Sequence, residues 1–183
     1  MAECKQAVLV EKETAHRDCL TGCYDRMTIR HLVDLCFLKS DVRQSHAMFV
    51  IDVDNFKRVN DTWGREFGDI VLNDVAAVLR RIFRRSDYIG RIGDDEFLVL
   101  LRDVEPERLS EKKAQEFYTA LGTLFSARGD ERYKPTCSVG IARYPMDGTL
   151  FETVFQSADA ALHEAKRSEE HTSELQSLAY LVC

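Results

Sequence analysis

Asp52 and Asp54 stand directly after an unbroken apolar run, Ala47-Met48-Phe49-Val50-Ile51, and Asp95 and Glu96 follow Gly93-Asp94 between two further β-type runs. Carboxylates delivered at strand ends are hard oxygen donors. Such a set suits Mg²⁺, which takes one or two carboxylates and completes its shell with water and phosphate oxygens. Two acidic pairs alone are weak grounds for a metal site, because Asp and Glu are usually solvated at the surface. Their chemistry depends on whether the intervening elements bring them together.

The elements read as follows. Ala47 to Ile51 is a buried strand. Tyr88 to Ile92 and Glu96 to Leu101 form a hairpin joined by Gly93-Asp94-Asp95, a tight turn in which glycine supplies unusual backbone angles. One helix carries Met27, Ile29, Leu32, Val33 and Leu35, and an amphipathic helix runs from Asp69 to Phe83. Helical periodicity returns at about 106–126 and from about Leu150 to Lys166, with β character from Pro135 to Tyr144 between them. This mixture predicts an α/β (α+β) sheet protein and not a helical bundle.

The 183 residues suit a single core. With 45% hydrophobic and 31% charged residues, nine Gly and three Pro, the chain is expected to fold. A formal charge of −6 disfavours a general binder of nucleic acid or anionic membrane. No apolar stretch reaches the ~20 residues of a membrane span, and the charged opening lacks a secretory layout, so the chain reads as cytoplasmic, without membrane insertion. Six cysteines without a CxxC pair read as idle or buried thiols.

In order along the chain stand Asp18-Cys19-Leu20-Thr21-Gly22-Cys23-Tyr24-Asp25-Arg26 and Ile51-Asp52-Val53-Asp54-Asn55-Phe56-Lys57-Arg58-Val59-Asn60-Asp61. Gly64, Gly68-Asp69, Arg91-Ile92-Gly93-Asp94-Asp95-Glu96-Phe97 and Ser138-Val139-Gly140-Ile141-Ala142 follow, and Ala158-Asp159-Ala160-Ala161-Leu162-His163-Glu164-Ala165-Lys166 completes the series. Each motif is modest alone. Their order and spacing resemble the GGDEF family of diguanylate cyclases from about Asp18 to Lys166. The resemblance implies a central five-stranded sheet flanked by helices, related to nucleotidyl cyclase and polymerase palm folds, with the signature on a hairpin turn. It further implies Mg²⁺ or Mn²⁺ as cofactor, GTP as substrate, cyclic di-GMP as product and possible inhibitor, and a transient homodimer.

Carried over by position, Asp52 and Asp95 would hold the metal through their side chains and Val53 through its carbonyl, while Asp95 and Glu96 would serve catalysis. Asn60 and Asp69 would read guanine, since an amide and a carboxylate match its donor and acceptor edge. Asn55 and Phe56 would offer backbone N–H groups to phosphates, Lys57 and Lys166 would add cationic contacts, and Gly93 counts among the substrate-binding positions. The bland alternatives are a helix-capping Asp69, a turn-forming Asn60 and solvated lysines. Arg84-Arg85-Ser86-Asp87 stands at the spacing of the family's RxxD inhibitory site. There Arg84 would meet a product phosphate or guanine and Asp87 a guanine edge; the alternative is a salt-bridged helix end.

The chain departs from the family at several positions. Asp94 replaces the second glycine of the signature, putting bulk and negative charge where the backbone approaches GTP, or else adding a metal ligand. Asp25 replaces a usual Asn, and Arg65 a common His after Gly64. After Lys166 the text changes character. Back-translated, residues 167–177 reproduce a widely used short-read sequencing adapter, so natural sequence is expected to stop near Lys166. The expected organisation is a helical lead-in or stalk at 1–17, the GGDEF-like domain at 18–166 and a non-native tail at 167–183, with the final strand missing or replaced and Glu170 where a phosphate-binding arginine belongs. Two functions follow: a diguanylate cyclase, or a catalytically silent module that binds GTP or cyclic di-GMP and regulates a partner.

Overall fold

The computed structural model describes residues 15–41, 43–104, 108–127, 136–170 and 180–182. The first 14 residues of the expected lead-in, the Pro135 start of the late β run and residues 171–179 of the expected tail lie outside them. Five helices are described: α1 (Arg26–Lys39), α2 (Phe56–Trp63), α3 (Arg65–Ile82), α4 (Arg108–Ala127) and α5 (Phe151–Glu170). The strands are β1 (His46–Val53), β2 (Tyr88–Arg91), β3 (Glu96–Leu101), β4 (Cys137–Tyr144) and β5 (Tyr180–Val182), and they form one sheet in the order β2-β3-β1-β4-β5.

Strand β1 lies at the centre, antiparallel to β3 on one side and β4 on the other. All eight of its residues are buried, which explains why its apolar run is continuous and not alternating. Both faces of the sheet are covered. Phe49 and Ile51 join a core with Val71, Val75 and Leu79 of α3 and Phe117 of α4. Met48 and Val50 face the other way, onto Ile29 and Val33 of α1 and Val154, Ala158 and Leu162 of α5. The period of two along the strand therefore sorts alternate side chains into two cores.

Local chemistry sets the helix starts. Asp25 caps α1, accepting a hydrogen bond from Thr28 N at 2.8 Å, so this departure from the family's Asn keeps a good capping residue. Asn55 precedes α2 with φ 54°, a left-handed conformation that Asn tolerates better than most residues. Helix α2 had no counterpart in the element reading, and α3 begins at Arg65, four residues before the expected Asp69. Met27, assigned to an apolar helix face, is 74% exposed.

One further expectation is corrected. Neither Gly93 nor Asp94 has positive φ, so the hairpin is not a tight turn built on glycine's special angles. Ile92 N and Gly93 N both donate to Glu96 O, at 2.9 and 3.4 Å, and the chain closes through a wider loop. At the edge of β4, where the final strand is expected to be missing or replaced, β5 pairs in parallel, with Val139 opposite Tyr180 and Ile141 opposite Val182. The tail thus replaces the final strand over three residues. Among the described cysteines, Cys23, Cys36 and Cys137 are buried, Cys19 is exposed, and none is in a disulfide. No described helix is long and apolar enough to cross a membrane.

Candidate active site

Strand pairing brings the two acidic pairs together. Asp52 sits opposite Glu96 in the β1–β3 register, and Val53 N donates to Asp95 O at 3.1 Å. Asp52 is 8% exposed, and Lys166, from α5, places its Nζ 2.7 Å from Asp52 Oδ1. Burial pushes the Asp52 carboxyl above the usual carboxylate range; Lys166 works against this, while Asp95 and Asp54 add to it. Asp95 is pushed up by burial, with Lys166 again opposing and Asp94 reinforcing. Glu96 is raised by burial and by Asp52, Asp95 and Asp159.

This edge carries more buried anionic oxygen than cation. Asp54 accepts from Ser138 Oγ at 2.7 Å through Oδ1, and its Oδ2 is buried without a hydrogen-bond partner among the described residues. Among the described residues no group of three or more His, Cys, Asp and Glu side chains is placed to cage a metal. Mg²⁺ takes one or two carboxylates and keeps waters and phosphate oxygens in its shell, and the neighbouring Asp52 and Asp95 carboxyls have that chemistry.

Beside these acids opens a cavity of about 580 Å³, a size ordinary for small-molecule sites, lined by Phe56, Lys57, Asn60 and Asp69 together with Asp94 and Asp95. Arg65, Leu72 and Arg91 complete the lining. Asn60 lies inside α2 and Asp69 inside α3, which excludes a turn-forming Asn60 and a capping Asp69. Gly68 brings the two helices together: a Cβ there would overlap Asn60 Oδ1 and stand 3.1 Å from Phe56 Cζ. The left-handed Asn55 turns the chain into α2, whose first N–H groups have no intrahelical acceptor, a favourable end for an anion.

The signature turn is held by Arg91. Its Nε donates to Gly93 O at 3.2 Å and its Nη2 to Asp94 O at 2.8 Å, while Nη1 lies 3.3 Å from both Asp18 oxygens. Asp18 in turn accepts from Thr21 N at 2.8 Å and Thr21 Oγ1 at 2.6 Å. Burial works against the Asp18 anion, but these Thr21 and Arg91 bonds hold its carboxyl below the usual range. A Cβ on Gly93 would stand 2.5 Å from Glu96 Oε2, so the Glu96 carboxylate would have to turn aside. Glu96 itself lines a different, smaller hollow between α1 and α5, with Arg30 and Phe151, and not the large cavity. Both Asp18 and Arg91 lay in quoted motifs, yet spacing alone assigned neither a role.

Arg84 and Asp87 lie apart from this cavity, on another of about 380 Å³ that Arg17, Tyr24 and Arg80 also line. Asp87 is 6% exposed and its carboxylate accepts from Arg84 N at 2.7 Å and Arg102 N at 3.2 Å. One of its oxygens holds the turn after α3 and the other ties that turn to the chain leaving β3, whereas Arg84 and Arg85 border the open space. The side chain of Glu170 lies outside the described residues.

At the end of the central strand pair, carboxylates border a polar cavity lined from two helices. Residues 15–172 match the family model described as diguanylate cyclase, GGDEF domain, and the chain belongs to that family. It is 34% identical over 152 residues to the cyclic di-GMP phosphodiesterase PdeR of Escherichia coli K12, covering 83% of this chain and 22% of that protein. It is 33% identical over 157 residues to the diguanylate cyclase DgcN of the same organism, covering 84% of this chain and 37% of that one. The chain therefore spans well under half the length of these relatives. The solved GGDEF domain of PA1120 from Pseudomonas aeruginosa superposes with a TM-score of 0.76 at 28% identity, covering 84% of this chain and 90% of the other. That likeness bears out the expected fold.

Proposed function

We propose that this domain is a diguanylate cyclase: it condenses two GTP into cyclic di-GMP, one GTP being carried by each copy of a transient homodimer in the cytoplasm. The 3′-oxygen of each GTP attacks the α-phosphorus of the other. Two phosphodiester bonds form, the two bonds between α- and β-phosphates break, two pyrophosphates leave, and each 3′-hydroxyl gives up its proton. The observation that carries this reading is the convergence of Asp52 and Asp95 beside the cavity lined by Asn60 and Asp69.

In this reading Asn60 and Asp69 bind the guanine edge, and the tight Gly68 contact fixes the Asn60 amide. Asn55 and Phe56 at the start of α2 present N–H groups to phosphate, with Lys57 on the same wall. Asp52, Asp95 and the Val53 carbonyl would hold Mg²⁺ or Mn²⁺, which when bound supplies charge neutralisation on the phosphates. Lys166 holds Asp52 in place and favours its ionised form against burial, and Arg91 fixes the turn that carries Asp95. Glu96 acts on the same acids through its charge. Because little covalent chemistry is asked of the protein, positioning supplies most of the acceleration.

Feedback inhibition by cyclic di-GMP at Arg84 is part of this proposal, with Asp87 shaping the turn that presents Arg84. A second reading, a silent module that binds GTP or cyclic di-GMP and regulates a partner, is favoured by the Asp94 carboxylate within the cavity lining. Incubation with GTP and Mg²⁺ at high protein concentration, followed by chromatography, separates the two. Cyclic di-GMP accumulating with pyrophosphate supports the cyclase; bound nucleotide without product supports the silent module. Arg84→Ala is expected to weaken cyclic di-GMP binding at least about tenfold, and unchanged affinity would remove the inhibitory site.

A further inference from the structure

Arg65 and Asp94 both depart from the family pattern, and both line the large cavity. Each is exposed to it. Three cations border this space, Lys57, Arg65 and Arg91, but the Arg91 guanidinium is committed to Asp18 and to the carbonyls of Gly93 and Asp94. Neither Arg65 nor the Asp94 carboxylate has an ion pair among the described residues.

Asp94 adds a negative charge beside Asp95, on the wall where a polyphosphate would lie, and a charge of that sign repels a polyanion unless it is offset. Arg65 brings the opposite sign into the same space from the first position of α3. Its guanidinium is always charged, whereas a histidine there would be largely neutral at pH 7. The positive end of the 18-residue α3 dipole lies in the same place and adds to the effect.

We propose that Arg65 is a further substrate-binding residue of this nucleotide site: it offsets the Asp94 carboxylate, so that the altered signature still accepts guanosine triphosphate. This inference rests on the GTP reading above. The two substitutions act as a compensated pair across one cavity, and their effects on binding are coupled.

The experiment measures binding of the α-thio analogue of GTP with Mg²⁺, by titration calorimetry, to this chain and to Arg65→His, Asp94→Gly and the double variant. Arg65→His is expected to weaken binding about tenfold in the parent and less than about twofold alongside Asp94→Gly. The difference shrinks between ~0.05 and ~0.5 M salt, and Arg65→Lys stays within about threefold of the parent. Equal losses in both backgrounds overturn the pairing. A combined Asn60→Ala and Asp69→Ala variant separates the two levels of the argument. If it binds the analogue as the parent does, or if the parent binds none, the GTP reading falls and the pairing with it. If it loses binding while Arg65 and Asp94 act additively, only the pairing falls. Both positions are exposed, so thermal midpoints within about 2 °C of the parent are expected.

Discussion

The ammonium of Lys166, near the end of α5, meets the Asp52 carboxylate at the end of β1 at 2.7 Å, joining this helix to the central strand at the acidic edge. Asp52 is nearly enclosed and its carboxyl is pushed up by burial, so the lysine offsets a charge that would otherwise be costly there.

Removing this cation leaves Asp52 unpaired. Breaking a fully buried pair costs ~3–5 kcal/mol. The Lys166 side chain is 36% exposed, and solvent screening reduces the expected loss for Lys166→Met to about 1–2 kcal/mol. Urea unfolding measures it, and millimolar Mg²⁺ is expected to recover part of the loss, because an ion bound only to the folded state stabilises it. A midpoint that does not move would remove the bridge from the account.

Gly68→Ala introduces a methyl where Asn60 Oδ1 already lies. Helix α3 would gain propensity, yet the overlap must push α2 away or turn the Asn60 amide, at a cost of about 1–3 kcal/mol. GTP affinity is expected to fall more than tenfold while the fold survives, read from parallel binding and thermal melts. Retained affinity would show that the close approach does not fix the amide.

Arg91→Lys keeps the charge and loses the fork that reaches Asp18 and two turn carbonyls at once. Turnover is expected to drop at least about tenfold, with a smaller change in KM, because the turn carrying Asp95 loses its bracing. Initial rates over a range of GTP concentrations provide the split. A rise in KM at constant kcat would instead make Arg91 a simple binding contact.

His46 sets a pH dependence away from the site. Its Nδ1 accepts from Asp103 N at 3.1 Å, so its Nε2 carries the proton and donates to Ser40 Oγ at 2.6 Å. Burial lowers its pKa below 6.5; Asp103 opposes that and Arg102 reinforces it. As pH falls below 6.5 the unfolded chain takes up a proton that the folded chain refuses. Stability from this group is therefore complete above that value and is lost on acidification, by up to about 1.4 kcal/mol per pH unit until the folded histidine titrates. Urea midpoints at pH 7.5 and 5.5 for the parent and His46→Gln test it. The parent is expected to lose more, and parallel slopes would contradict the assignment.

Much of the architecture was legible along the chain. The apolar run ending in Asp52, the hairpin around Asp95 and the helical spacing of Val71, Val75 and Leu79 are local patterns, because burial of one face or both is written at periods of two and 3.6 residues. Motif order added the nucleotide reading. Periodicity says which face is buried but not which distant side chain will meet it. Only the folded chain joined Arg91 to Asp18 across 73 residues, set Asn60 against Gly68, engaged Asp87 with two backbone donors and let Tyr180–Val182 pair with β4. Arg65 and Asp94 look like unrelated departures in the text, and tertiary packing placed both on one cavity, since charges interact through space and not along the backbone.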